Sequence, residues 1–153
     1  LGNAGYEHYE ISNFCRPGMY SRHNTSYWKG IPYLGCGPSA HSFNTDAREW
    51  NISSLEDYIH SIENNHRRFE NEYLDRTTRY NECIMTSIRT KRGLSLNDLE
   101  REFGKGLWQY CMNMARPHLD SGKLEIRDSH LCLTRKGIFV SDSIMSDLMF
   151  IED

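Results

Sequence analysis

Apolar positions recur at helical spacing mainly in the second half of the chain. Tyr80, Cys83, Ile84, Ser87 and Ile88 line one face of a helix predicted over 75–90, stopped by Arg92-Gly93. Ser95-Leu96-Asn97-Asp98 opens a second helix whose stripe is Leu96, Leu99 and Phe103, and Gly104 closes it. A third runs over 107–119 and ends at Ser121-Gly122. Two short strands at 124–127 and 130–133 join through Asp128-Ser129, and a last helix is predicted over 135–149.

Helix, helix, helix, β-hairpin, helix is the order of a winged helix-turn-helix module. Upstream, Ser54 caps a helix on which Leu55, Tyr58, Ile59 and Ile62 share a face, ending by Asn64 or Asn65. Residues 5–42 show no such period: glycines, aromatics and three histidines stand between turn residues. Residues 5–14 read as one strand with Ile11 and Phe14 as apolar anchors, sending Tyr6, His8 and Glu10 to one face and Glu7, Tyr9 and Ile11 to the other. Residues 33–43 read as a second strand-to-loop unit broken by Gly35, Gly37 and Pro38, with a polar, aromatic loop between the two. The texture changes near Glu70 to Tyr73, which predicts an α+β chain with one domain over 1–72 and a mostly helical, winged-helix-like domain over 73–153.

Charge and cysteine usage narrow the class. The formal net charge is −3, and no apolar run approaches the roughly 18 residues that would span a bilayer, so a cytoplasmic location is the expectation. Cys15, Cys36, Cys83, Cys111 and Cys132 form an odd, widely spaced set without the paired spacing of a zinc site or the close triplet of an iron–sulfur cluster, and read as reduced thiols. The Asn-x-Ser/Thr matches at Asn24 and Asn51 are then chance. The chain starts at Leu1 on a segment that needs pairing partners, so it reads as a piece of a longer protein whose exposed strand edges invite self-association. Basic and acidic residues are equal in number over 74–153, and the third helix offers Arg116 as its firm cation, which argues against a nucleic-acid partner.

Taken together, YEISNF at 9–14, HNTSYW at 23–28, YLGCGPSAHS at 33–42 and Thr90-Lys91-Arg92-Gly93-Leu94 resemble the C-terminal part of the oxygen-independent coproporphyrinogen III oxidase-like radical SAM proteins. Within that family the likeness is greatest to the HemW branch of heme chaperones, whose HNxxYW pattern stands complete at His23, Asn24, Tyr27 and Trp28. Residues 133–137, LTRKG, resemble the family's approach to its last helix. The resemblance implies a parent with a radical SAM partial (β/α) barrel that holds a [4Fe–4S] cluster and S-adenosylmethionine. This chain would then supply the terminal barrel strands, a connecting helix and the C-terminal domain. The family's Cys-x3-Cys-x2-Cys run is absent here, so the chain by itself has no means of radical chemistry. The parent would bind heme or a porphyrin and deliver it to a hemoprotein recipient. The alternative is the oxidase itself, decarboxylating a porphyrinogen during heme synthesis.

On that footing His23 is the candidate ligand for heme iron, because a neutral imidazole is a natural axial ligand. A helical turn would put His23 and Tyr27 on one face, with Trp28 against a porphyrin plane and Arg16 or Arg22 on a propionate. The competing reading has His23 and Asn24 bonding backbone in an irregular loop while Trp28 fills a gap. By resemblance Glu10, Gly35, Gly37, Ser39 and His41 line the cofactor space, although glycine runs at strand ends are also explained by tight turns. A lone carboxylate such as Glu10 also fits a pair with an arginine near the strand end, and Cys15 fits an inert thiol as well as an iron ligand.

Overall fold

A computed structural model describes residues 1–151; the last two positions of the domain expected over 73–153 lie outside the described residues. The chain forms two compact units, one joining Leu1–Trp28 to the chain from Arg76 onward, the other Lys29–Asp75. It is a mixed α/β structure with three small antiparallel sheets and, among the described residues, no closed barrel.

In the first unit, residues predicted as one strand form a hairpin of β1 (Glu7–Glu10) and β2 (Asn13–Cys15), with the register shifting between His8 and Glu10. Alternation over 5–14 missed the turn because Ile11-Ser12 carries neither glycine nor proline. The helix α1 (Arg22–Trp28) replaces the predicted loop. Then follow α3 (Arg76–Ile88), β6 (Leu94–Ser95), α4 (Leu96–Asp120), β7 (Leu124–Arg127) and β8 (His130–Leu133). The predicted last helix is two, α5 (Arg135–Ile138) and α6 (Ser141–Leu148), broken at Phe139 and Val140. Helix α4 is itself two segments across Gly104, whose φ of 72° and ψ of 172° are not helical, so the predicted break stands where glycine placed it.

The core of this unit gathers Tyr80, Ile84 and Ile88 of α3, Leu96, Leu99, Phe103, Cys111 and Ala115 of α4, Leu124 and Leu131 of the sheet, and Ile144 and Leu148 of α6. Each large aliphatic among them contributes about 1.5–3 kcal/mol by leaving water. Polar bonds clamp the C-terminal end onto this core. The Tyr80 hydroxyl donates to the Leu148 carbonyl at 2.9 Å, and Asn81 donates to and accepts from the Phe150 backbone at 2.9 and 2.8 Å. The third sheet has the order β6-β8-β7. Its edge strand β6 was invisible in the pattern, being two residues long.

The second unit contains β3 (His41–Phe43), β4 (Ala47–Asn51), α2 (Leu55–Glu63) and β5 (Phe69–Tyr73), with sheet order β3-β4-β5. The strand expected over 33–43 shrinks to β3 and an isolated Tyr33↔Phe43 bridge. Ser54 caps α2 as predicted, accepting from the Asp57 N–H. The apolar face of α2 is nonetheless open, with Leu55, Ile59 and Ile62 exposed at 59%, 46% and 44%.

Candidate functional site

The HNTSYW segment is the body of α1. Ser21 starts it, accepting the Asn24 N–H on its hydroxyl at 3.3 Å and the Thr25 N–H on its carbonyl at 3.0 Å. The polar segment thus nucleates through its own serine and threonine groups, with Thr25 and Ser26 hydroxyls donating back to the carbonyls of Ser21 and Arg22. His23 and Tyr27 meet edge to face, their ring centroids 4.9 Å apart. Both are exposed, and among the described residues no hydrogen bond holds the His23 imidazole. Arg22 and Arg16 are exposed as well, and Asn24 is half-buried.

Trp28 faces the other way. The Arg89 guanidinium carbon lies 4.5 Å from the centroid of its ring, so one indole face is covered by a cation. The Trp28 indole N–H is buried and has no partner among the described residues. Such an orphan costs about 1–3 kcal/mol.

Arg89 in turn is held by Glu10. Its Nε donates to the Glu10 carboxylate at 2.6 Å, and the same carboxylate accepts from the Ser12 N–H at 3.1 Å and the Asn13 amide at 2.5 Å. Glu10 is 2% exposed. Burial pushes its carboxyl up, but the Arg89 bond, then the Ser12 and Asn13 donors, outweigh this and hold it below the ordinary carboxylate value. Backbone bonds double the link: the Ile11 N–H donates to the Arg89 carbonyl at 3.0 Å and the Lys91 N–H to the Tyr9 carbonyl at 2.9 Å. The sequence pointed to an arginine for Glu10 but not to one 79 positions away. Arg89 and Asn13 are the residues sequence reasoning passed over. The available signal was their place beside or inside the YEISNF and TKRGL segments already singled out.

The four other expected pocket residues belong to the second unit. Gly35 donates its N–H to the Ser42 hydroxyl at 3.0 Å, and Gly37 donates to the Tyr58 hydroxyl at 3.1 Å. The carbonyls of both accept from the Asn51 amide, at 3.3 and 2.9 Å. Asn51 is buried and also takes the Arg67 Nε at 2.8 Å. A Cβ on Gly35 would run into the His41 backbone, which explains the glycine by close packing. The N–H groups of Gly35 and Gly37 are therefore spent within the second unit, on β3 and α2. Ser39, at a positive φ of 57°, and His41 are exposed, and the His41 ring lies 5.8 Å from that of Trp50.

The cysteines do not fit an iron–sulfur cluster. Among the described residues no three His, Cys, Asp or Glu side chains group as a metal site, and Cys15, Cys111 and Cys132 are buried as free thiols. No step through a cluster can be assigned to this chain.

Residues 74–140 match the family model described as the HemN C-terminal domain. By sequence the chain is a relative of the HemW-type members of the radical SAM, coproporphyrinogen III oxidase-like family. It is 30% identical to the protein named heme chaperone HemW of Mycobacterium tuberculosis, over 97% of this chain and 36% of that protein. A heme chaperone HemW of Synechocystis is 54% identical over 43 residues, 28% of this chain and 10% of that protein. The fold is that of part of the solved coproporphyrinogen III oxidase (HemN) of Escherichia coli, described as a radical SAM enzyme. The TM-score is 0.70 at 17% identity, covering 97% of this chain and 38% of that one. The chain thus spans little more than a third of the length of the Mycobacterium and Escherichia proteins.

Proposed function

We propose that the whole protein to which this chain belongs binds heme and hands it to hemoproteins. In this reading His23 offers its imidazole to the iron, Tyr27 lies beside the macrocycle, Asn24 supports the turn that carries both, and Trp28 anchors it. Arg22 or Arg16 pairs with a propionate. The observation that carries the reading is the outward face of α1: an exposed imidazole with no hydrogen bond among the described residues, edge to face with an exposed tyrosine, on a helix whose opposite side is fixed.

The same reading assigns the [4Fe–4S] cluster and S-adenosylmethionine to the rest of the protein, as its radical SAM relatives suggest. Its partial barrel would be completed by residues 1–72, while α3 to α6 with the β6-β8-β7 sheet would form the winged-helix-like domain. Gly35, Gly37, Ser39 and His41 would then contribute a close-packed wall to the cofactor space. The reading places the protein in the cytoplasm; among the described residues no helix is long and apolar enough to cross a membrane.

The experiment is a hemin titration of the whole protein in parallel with an assay of coproporphyrinogen III consumption. Tight binding without turnover supports delivery. Turnover of the porphyrinogen makes the protein an oxidase instead.

A further inference from the structure

We infer that Arg89 is the positioning residue of the heme-facing helix: through its stack on Trp28 it sets the angle at which α1 presents His23. The inference rests on the heme-binding reading and adds to it a residue that lies outside α1 and touches no ligand.

Seven residues are too few to hold a helix in water unaided, and none of the seven is fully buried. Something outside α1 must therefore fix it. Beside its contacts with α3, α1 has the Arg89 guanidinium on its inner side, 4.5 Å from the Trp28 ring centroid. That guanidinium is fixed in turn, because its Nε is bonded to a Glu10 carboxylate which Ser12 and Asn13 also hold. The Arg89 backbone is tied as well, its carbonyl accepting from Ile11. The hairpin, the turn that follows α3 and α1 meet on this one side chain.

The Trp28 ring gains no orientation from its own N–H, which is buried and unpartnered among the described residues. Stacking on a planar cation, with the guanidinium carbon 4.5 Å from the ring centroid, is a contact that can set it. Five residues of helix turn about 500°, so Trp28 and His23 stand roughly 140° apart around the axis. A ring locked inward thus turns the imidazole outward, and a ring free to tilt lets the imidazole swing. Lysine keeps the charge for Glu10 but has no flat face for the indole.

The test uses the whole protein, its Arg89→Lys and Trp28→Ala variants and the double variant. Two readouts are taken: hemin affinity with the position of the Soret band, and amide hydrogen exchange of the 22–28 segment in heme-free protein. Arg89→Lys is expected to weaken hemin binding about tenfold, shift the Soret band and speed exchange in 22–28 while exchange in α3 and α4 stays unchanged. The double variant should lose no more than Trp28→Ala alone, because both remove one contact. Unchanged hemin binding and exchange in Arg89→Lys would overturn the inference while leaving heme binding intact. If the unmodified protein fails to bind hemin, the functional reading falls, and the exchange of 22–28 still decides whether Arg89 holds α1. Should Arg89→Lys not fold, Trp28→Ala with native exchange across 22–28 would overturn it.

Discussion

Arg89 lies over Trp28 with its guanidinium carbon 4.5 Å from the ring centroid, while its Nε donates to the buried Glu10 carboxylate at 2.6 Å. Three segments far apart in sequence are thereby joined by one side chain. Arg89→Ala would leave the Glu10 carboxylate buried and short of its cation. Removing one partner of a buried pair costs about 3–5 kcal/mol. The Arg89 side chain keeps 28% of its exposure, and Glu10 retains Ser12 and Asn13, so the low end applies. Urea unfolding should show a loss of about 3 kcal/mol.

The same pair gives the chain an acid-sensitive joint. The Glu10 carboxyl sits below its ordinary value when folded, because the bonds from Arg89, Ser12 and Asn13 outweigh the upward push of burial. The unfolded chain therefore binds the proton more readily. The stabilisation is complete above the ordinary carboxylate pKa and is lost as pH falls through the lowered folded value. Glu10→Gln should be less stable than the native chain at pH 7, and the difference should shrink as pH is lowered toward about 3. A difference that does not change with pH would contradict this.

Two glycines with the same backbone angle should respond differently to a methyl group. Gly93 has φ of 78°, and a Cβ there would press on the Leu131 carbonyl and come within 2.6 Å of the Cys132 sulfur. Gly18 has φ of 77° and nothing within 4 Å of the same position. Gly18→Ala should cost about 1 kcal/mol from the left-handed conformation alone. Gly93→Ala should cost appreciably more, since strain and overpacking add, each about 1–3 kcal/mol. Thermal unfolding of the two variants gives the comparison.

Thiol reactivity should follow burial. Cys36 is exposed, whereas Cys111 is buried and its thiol is pushed up to about 11 by burial above all. Brief maleimide treatment at pH 7.5 followed by peptide mass spectrometry should find Cys36 labelled first and Cys111 and Cys132 labelled only on unfolding.

Much of the first unit was legible because its helices bury a regular stripe: Tyr80, Ile84 and Ile88 on α3, and Leu96, Leu99 and Phe103 on α4, are all in the core. The break at Gly104 and the caps at Ser54 and Ser95 were equally readable, since each rests on local backbone chemistry. β5 was not, because all five of its residues are exposed and FENEY has no apolar alternation to find. α2 shows a different limit: periodicity announces an apolar face without saying what covers it, and Leu55, Ile59 and Ile62 are open. At the site, the sequence supplied His23, Tyr27 and Trp28, but it read the segment as a loop. A seven-residue helix held by a distant arginine leaves no period of its own.

In the proposed function the outward face of α1 meets heme iron through His23. The most direct test is a hemin titration of the whole protein and of His23→Ala, followed by the Soret band, with this chain alone run alongside. The native protein should show a shifted Soret band that is lost or displaced in His23→Ala, with weaker binding. An identical Soret position and affinity in the two proteins would contradict it and reduce HNTSYW to architecture.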